Sequence, residues 1–181
     1  MVKDFSEKLK QAPTVAIDTH FFRSIERTHE NDLLKATYSH DQGGRYNRPS
    51  SFGAIYLADS AENSIRETIR PGFQIVPRIL ATINVKLVSV IDLESKGVLE
   101  LLQIESNRLF ESWRANPQAY THKLGGAIYD SERFEGIRYP SEKVRNPQAY
   151  NLAVFPARLK KGSFLELHDP SGTLTQRISG K

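Results

Sequence analysis

The order of strand-like and helix-like segments most constrains the fold of this 181-residue chain. Residues 79–90 alternate apolar and polar side chains, which predicts a strand with one buried face. Phe5 and Leu9 stand four residues apart, which predicts a short amphipathic helix over residues 3–10 that ends at Pro13. Strand and helix patterns do not alternate regularly along the chain. An α+β fold is therefore favoured over a doubly wound parallel sheet.

The other predicted elements follow from the same patterns. Further strands are expected at 14–25, 52–58, 136–139, 151–155, 163–167 and 173–178, the last two as a terminal hairpin across 169–172. Further helices are expected after a cap at Asp59 or Ser60 to about Arg70, where Pro71-Gly72 breaks the pattern, and at 97–113 and 120–131. Residues 27–51 are polar and turn-rich, and a loop of that length in a compact domain is usually functional or disordered.

Composition narrows the class of protein. The chain has no cysteine, which excludes disulfides, cysteine-ligated zinc and a thiol nucleophile. No apolar run approaches the roughly 18 residues of a membrane span, and the N-terminus lacks the apolar region of a signal peptide. We therefore expect one domain over residues 1–181, located in the cytoplasm and without a membrane partner.

The net charge of +4 comes mainly from the C-terminal tail. Residues 156–181 hold five basic and two acidic residues, which gives +3. A nucleic-acid-binding surface usually has a denser basic stripe with interleaved aromatic residues. A solvated tail is the favoured interpretation, and no direct binding of nucleic acid is expected.

Several catalytic motifs are missing from the sequence. There is no P-loop, no dinucleotide-binding glycine motif and no nucleophile elbow. The histidines do not show the spacing of a metal site, so no metal is expected. They are His20, His29, His40, His122 and His168.

The loop Gly43-Gly44-Arg45-Tyr46-Asn47 is the first segment with functional character. Paired glycines let backbone N–H groups approach a ligand closely. The planar guanidinium of Arg45 suits phosphate, so this loop could hold a diphosphate without a P-loop. Taken alone, the loop fits an ordinary surface turn at least as well.

Two more segments carry polar residues beside predicted strands. A strand with Tyr56 leads into the helix that carries Glu67, which lies three residues after Ser64 at the edge of the buried face. Glu62 lies on a different face of the same predicted helix and is expected to be exposed to solvent. Ser141 stands at the exit of a short strand, where its hydroxyl can enter a pocket, and Asn151 begins the next strand. An exposed helix glutamate and a turn serine are the alternatives.

Together, these segments resemble the RES domain family, which is named for its Arg, Glu and Ser. The resemblance runs over residues 20–156, with residues 1–19 and 157–181 as peripheral elements. The three residues that give the family its name correspond to Arg45, Glu67 and Ser141. The further binding candidates are Arg23, Gly44, Tyr46, Tyr56 and Asn151. Two departures are Tyr46, where the family commonly has Trp, and a long segment at 27–42.

The resemblance implies an ADP-ribosyltransferase-like domain that acts on NAD+, with a central, mostly antiparallel, split sheet flanked by helices. Glu67 would stabilise the ribosyl centre, and Arg45, with Arg23, would hold the diphosphate. Tyr56 or Tyr46 would border the nicotinamide, which Ser141 and Asn151 would orient.

The acceptor of the ribosyl group stays open at this point. NAD+ degradation by a glycohydrolase or phosphorylase is favoured. The alternatives are a protein mono-ADP-ribosyltransferase and a non-catalytic NAD+-binding module. Many relatives are toxins, so the resemblance also implies a small DNA-binding, helix-turn-helix antitoxin that blocks the pocket. A homodimer is one of the open oligomeric states.

Overall fold

The computed structural model describes residues 5–69, 76–114, 116, 118–145, 147–169, 171 and 176–181. Its strands are β1 (Val15–Glu26), β2 (Ile55–Ala58), β3 (Arg78–Asp92), β4 (Gly136–Arg145), β5 (Gln148–Val154), β6 (Phe164–Leu167) and β7 (Arg177–Ser179). Its helices are α1 (Ser6–Gln11), α2 (Thr37–Gln42), α3 (Ala61–Thr68), α4 (Lys96–Leu102) and α5 (Tyr120–Asp130), and 3₁₀ segments lie at Arg27–Asp32, Ser106–Phe110 and Pro156–Arg158. The predicted α+β class is confirmed.

The sheet joins the strands in the order β1-β2-β5-β4-β3-β6-β7, and β1 also pairs with β3. All pairs are antiparallel except β3–β4. The contact between β1 and β2 is the single pair Phe22–Ala58, and β3 meets β4 over three pairs from Val90–Gly136 to Asp92–Arg138. Because these two pairings are so short, the sheet divides into a β1–β3–β6–β7 group and a β2–β5–β4 group, as expected for a split, mostly antiparallel sheet.

Two hydrophobic clusters lie on opposite faces of the β2–β5–β4 group. Successive residues of a strand point to opposite faces. Leu152 and Val154 accordingly belong to the cluster with Phe21 on β1, whereas Ala153 belongs to the cluster that α1, α4 and α5 cover. Tyr46, from the loop Gly43-Gly44-Arg45-Tyr46-Asn47 (the arginine loop), belongs to this second cluster. The arginine loop is therefore anchored in the helical layer of the core.

Three predicted elements differ from the structure. The helix expected over 97–113 is wrong as one element, because Gln103 adopts a left-handed backbone (φ 55°) that ends α4. The loop expected over 27–51 contains α2 and a 3₁₀ segment, and buried Leu33 and Leu34 anchor it to the core. Ser141 lies inside β4, beyond the predicted strand end, where the β4–β5 register shifts.

The terminal hairpin is confirmed by antiparallel pairing of β6 with β7. Its predicted turn at Pro170 and Gly172 lies outside the described residues, as does the predicted helix break at Pro71-Gly72. In the part of the chain that the structure describes, no helix is long and apolar enough to cross a membrane. The same part contains no group of three or more acidic or histidine side chains placed to hold a metal ion.

Candidate active site

Helix α3 presents one polar face toward β4 and β5. The Ser60 hydroxyl caps this helix by accepting the Asn63 N–H at 3.1 Å. Asn63 and Glu67 stand four residues apart, which places them in line along the helix, and Asp59 precedes the cap with its Oδ1 atom 3.0 Å from Asn63 Nδ2. Glu62 points away from this line and is exposed, with its carboxylate 2.8 Å from the Arg66 guanidinium.

The structure brings Glu67, Ser141 and Asn151 together. The Glu67 Oε1 atom accepts hydrogen bonds from Ser141 Oγ at 2.9 Å and from Asn151 Nδ2 at 2.7 Å. Ser141 is fully buried and Asn151 is nearly so, whereas Glu67 is partly exposed. Antiparallel pairing of β4 with β5 sets Tyr139 opposite Asn151, so Ser141 lies near Asn151 although the two stand ten positions apart in the sequence.

Asn63 belongs to the same group, although the sequence analysis did not select it. Its side chain is fully buried and lies 3.0 Å from Asn151 Oδ1 and 2.9 Å from Ser141 Oγ. Buried amides are almost always hydrogen-bonded, because an unpaired one costs stability. The four-residue spacing of Asn63 and Glu67 is the sequence signal that points to this face.

The arginine loop is a tight turn held by Tyr56. The Gly44 N–H donates to the Asn47 carbonyl at 2.9 Å, and Gly43 has φ 76°, in the region that favours glycine. A Cβ atom on Gly44 would lie 2.4 Å from the Tyr56 ring, so the ring packs directly on the loop. The Tyr56 hydroxyl donates to Asn47 Oδ1 at 2.7 Å and accepts the Tyr46 N–H at 3.0 Å.

Arg45 is buried and both of its terminal nitrogens have partners. Its Nη1 atom donates to the Leu109 carbonyl at 2.8 Å, and Nη2 donates to the Glu142 carboxylate. Glu142 directly follows Ser141 in β4 and is partly exposed. Glu67, Asn63, Ser141 and Asn151 form what we call the Glu67 group. This group and the arginine loop therefore contact adjacent residues of β4, Ser141 and Glu142. Neither Glu142 nor Leu109 was selected from the sequence, since no local pattern relates them to Arg45.

Tyr46 is placed differently from the sequence-based expectation of a side chain at the nicotinamide. Its ring is fully buried, and its centroid lies 4.7 Å from that of Tyr139. Burial raises the pKa of the Tyr46 phenol above its ordinary value. Among the described residues its hydroxyl has no hydrogen-bond partner. Tyr46 is thus a core residue, and Tyr56 is the tyrosine that borders the loop.

Arg23 is also placed away from its expected partner Arg45. Its guanidinium donates to the backbone carbonyls of Leu33 and, at 3.3 Å, Lys35. Burial lowers its pKa to about 10, so Arg23 remains a cation at neutral pH. It shares no hydrogen-bond partner with Arg45 in the described part of the chain. Its observed contacts hold the 27–36 segment against β1.

His122, on α5, supports the arginine loop from behind. The ring is buried, and Nε2 lies 2.8 Å from the Gly44 carbonyl. Burial lowers the pKa of His122, so the ring is neutral at pH 7 and Nε2–H is the donor. The neighbouring Gly125 packs so closely that a Cβ there would lie 1.9 Å from the Tyr46 carbonyl oxygen. α5 thus fixes the backbone on both sides of Arg45.

Two surface grooves lie along β3 and β6, with volumes of about 330 and 410 Å³. Both are lined by Asn84 and Glu166, and neither is lined by Glu67, Arg45 or Ser141. We place the candidate site at Glu67 nonetheless, because buried polar side chains from β4 and β5 converge there on one partly exposed carboxylate of α3. Such convergence is characteristic of binding sites.

Comparisons with known proteins identify the family. A chain in the "Crystal structure of the M.tuberculosis MbcT-MbcA toxin-antitoxin complex" matches with a TM-score of 0.73 and 19% identity, covering 98% of this chain and 93% of that chain. At that identity the match shows the fold alone. A search of curated proteins found no match. The family profile described as "RES domain" matches residues 20–175, which is most of the chain. The chain therefore belongs to the RES domain family.

Proposed function

We propose that this chain consumes NAD+ by cleaving the bond between nicotinamide and ribose. The observation that carries the proposal is the arrangement of Glu67. Its Oε1 atom accepts both protein hydrogen bonds, and among the described residues none is made to Oε2. A carboxylate that is oriented by two donors and still has a free oxygen can bind a ribose hydroxyl or stabilise positive charge on the sugar.

The chemistry needs only one such carboxylate. When the bond from ribose C1′ to the nicotinamide nitrogen breaks, its electron pair leaves with the nitrogen, which changes from cationic to neutral. No general acid is required, in contrast to ordinary glycoside hydrolysis with its pair of carboxylic acids. The remaining ribosyl centre is oxocarbenium-like, and Glu67 stabilises that charge until a nucleophile attacks C1′.

Arg45 is the proposed partner of the NAD+ diphosphate. Its planar guanidinium already binds a carboxylate, that of Glu142, and phosphate oxygens suit the same fork geometry. Diphosphate binding at this position requires that Glu142 give way, while the Leu109 carbonyl can keep its bond to Nη1. Tyr56 borders this loop, and Ser141 and Asn151 hold Glu67 beside it.

The acceptor decides whether the chain is a glycohydrolase, a phosphorylase or a protein ADP-ribosyltransferase. Water as the acceptor yields ADP-ribose, and inorganic phosphate yields its 1″-phosphate ester. A protein acceptor leaves ADP-ribose attached to a side chain. We favour NAD+ degradation, which needs only water or inorganic phosphate as the second substrate and no protein target.

We further propose that the chain is the toxin of a toxin–antitoxin pair in the cytoplasm. Membership of the RES family and the fold shared with a chain of a toxin–antitoxin complex support this role. The partner would be a small DNA-binding antitoxin that covers the Glu67 and Arg45 region. Expression of the chain alone should arrest growth, and co-expression of the gene adjacent to its own should restore it.

Incubation of the purified chain with NAD+ tests the enzymatic proposal. Nicotinamide release is followed by chromatography with and without inorganic phosphate, and mass spectrometry identifies the ribosyl product. Glu67→Gln is the active-site variant, and Glu62→Gln on the same helix is the matched control. If wild type releases no nicotinamide in either buffer, NAD+ degradation is wrong. Transfer of labelled ADP-ribose to protein would then identify a transferase, and NAD+ binding without turnover a binding module.

A further inference from the structure

Asn63 has the most constrained side-chain amide in the candidate site. Its Nδ2 atom lies 3.0 Å from Asp59 Oδ1, 3.1 Å from the Tyr150 carbonyl and 3.0 Å from Asn151 Oδ1. Its Oδ1 atom accepts from Ser141 Oγ at 2.9 Å. Three acceptors surround the nitrogen and a donor faces the oxygen, so only one orientation of this amide satisfies its neighbours.

The orientation of Asn63 determines that of Asn151. Because Asn63 donates to Asn151 Oδ1, the Nδ2 end of Asn151 faces Glu67, to which it donates at 2.7 Å. A reversed Asn151 amide would set its oxygen against the Glu67 carboxylate and its NH₂ against the NH₂ of Asn63. Both contacts would then be repulsive, so Asn63 excludes the reversed state.

Asn63 also gives the Ser141 hydroxyl a second acceptor. Ser141 Oγ accepts the backbone N–H groups of Lys143 and Val144 at 3.1 Å each. Its single hydrogen must therefore go either to Glu67 Oε1 or to Asn63 Oδ1, both at 2.9 Å. When Glu67 turns toward a ligand, the hydroxyl can rotate to Asn63 without losing a partner.

We propose that Asn63 is a positioning residue that holds Asn151 in the orientation in which it donates to Glu67, and that it offers the Ser141 hydroxyl a second acceptor. This inference rests on the proposed role of Glu67 and is independent of which acceptor attacks. Asn63 acts through its neighbours and makes no contact with the reacting atoms. The competing view is that Asn63 only ties α3 to β5.

Two substitutions separate these views. Asn63→Asp keeps the size of the side chain, and the introduced carboxyl can donate to Asn151 only while it is protonated. It is buried and faces Asp59 and Glu67, so it stays protonated to higher pH than an exposed aspartate. Asn63→Leu removes the donor at every pH. A residue that merely ties α3 to β5 would change stability without changing the shape of the pH profile.

The test is the pH dependence of kcat for nicotinamide release at a temperature where all variants are folded. We expect Asn63→Asp to approach wild type near about pH 5.5 and to fall on the order of tenfold below it near about pH 8. Asn63→Leu should be reduced to a similar extent throughout, with KM for NAD+ changed less than kcat. Asn84→Asp, a matched change on β3 outside this group, should follow wild type. An Asn63→Asp profile parallel to that of wild type would overturn the inference.

A second readout does not require turnover. In wild type, the NMR signals of the Asn151 side-chain amide should change with pH in the acidic range, because the amide donates to a carboxylate. In Asn63→Leu this dependence should weaken, since the contact with Glu67 is then the only one of the two that orients the Asn151 amide. If wild type has no NAD+ activity, the proposed function fails while this measurement still decides the role of Asn63: an unchanged titration response in Asn63→Leu refutes it.

Discussion

Two adjacent glycines of α5 should respond oppositely to the same substitution. A Cβ on Gly126 meets no atom within 4 Å, so Gly126→Ala should gain about 1 kcal/mol from helix propensity alone. A Cβ on Gly125 would lie 1.9 Å from the Tyr46 carbonyl oxygen, and a backbone atom cannot rotate away. Overpacking of this kind costs roughly 1–3 kcal/mol, and relief requires movement of the arginine loop. Gly125→Ala should therefore destabilise the chain.

Thermal unfolding followed by circular dichroism measures this difference. For a chain of this size, 1 kcal/mol corresponds to a shift in Tm of about 2–4 °C. The two variants should therefore differ by roughly 2–4 kcal/mol, or roughly 4–16 °C in Tm, with wild type between them. Gly125→Ala should also raise KM for NAD+, because Tyr46 adjoins Arg45. Equal Tm shifts for the two variants would refute the claim that α5 fixes the arginine loop by direct backbone contact.

Two further predictions concern charges around the loop. Glu142→Gln removes the carboxylate that binds Arg45, so KM for NAD+ should fall about threefold to tenfold. Glu132→Gln, a distant control, should leave KM unchanged. An equal or higher KM in Glu142→Gln would contradict diphosphate binding at Arg45. Burial lowers the pKa of His122 in the folded chain below its unfolded pKa of about 6.5. Between these two pKa values the unfolded chain binds more protons than the folded chain, so the free energy of unfolding falls as pH falls. Urea unfolding from about pH 7.5 to 5 should show a weaker loss of stability in His122→Gln than in wild type, and parallel curves would exclude His122 as the cause.

The resemblance to the RES family grouped Glu67, Ser141 and Asn151, since Glu67 and Ser141 taken alone fit an exposed helix glutamate and a turn serine. Glu67 lies at a recognisable position of a capped helix, and Asn151 belongs to an apolar strand segment. Asn63 could have been found as well, because its four-residue spacing from Glu67 places two polar residues on one helix face. These features are local, because the spacing of residues along a helix or strand already fixes the face on which they lie.

The partners of the arginines could not be read from the sequence. Arg45 pairs with Glu142, 97 residues away, and Arg23 donates to backbone carbonyls that any residue type would supply. The resemblance left Tyr56 and Tyr46 as alternatives beside the nicotinamide, and burial of the Tyr46 ring against Tyr139 depends on tertiary packing that no local pattern indicates. Contacts of this kind depend on how the helices pack on the sheet. The left-handed backbone of Gln103, which ends α4, likewise has no signal in its residue type.

The most direct test of the central claim is the rate of nicotinamide release by Glu67→Gln relative to Glu62→Gln. Both substitutions remove one negative charge from α3, but only Glu67 accepts from Ser141 and Asn151. We expect Glu62→Gln to release nicotinamide at the wild-type rate and Glu67→Gln to lose at least about 100-fold in kcat with its Tm preserved. Equal rates for the two variants would contradict the assignment of Glu67 to the ribosyl centre.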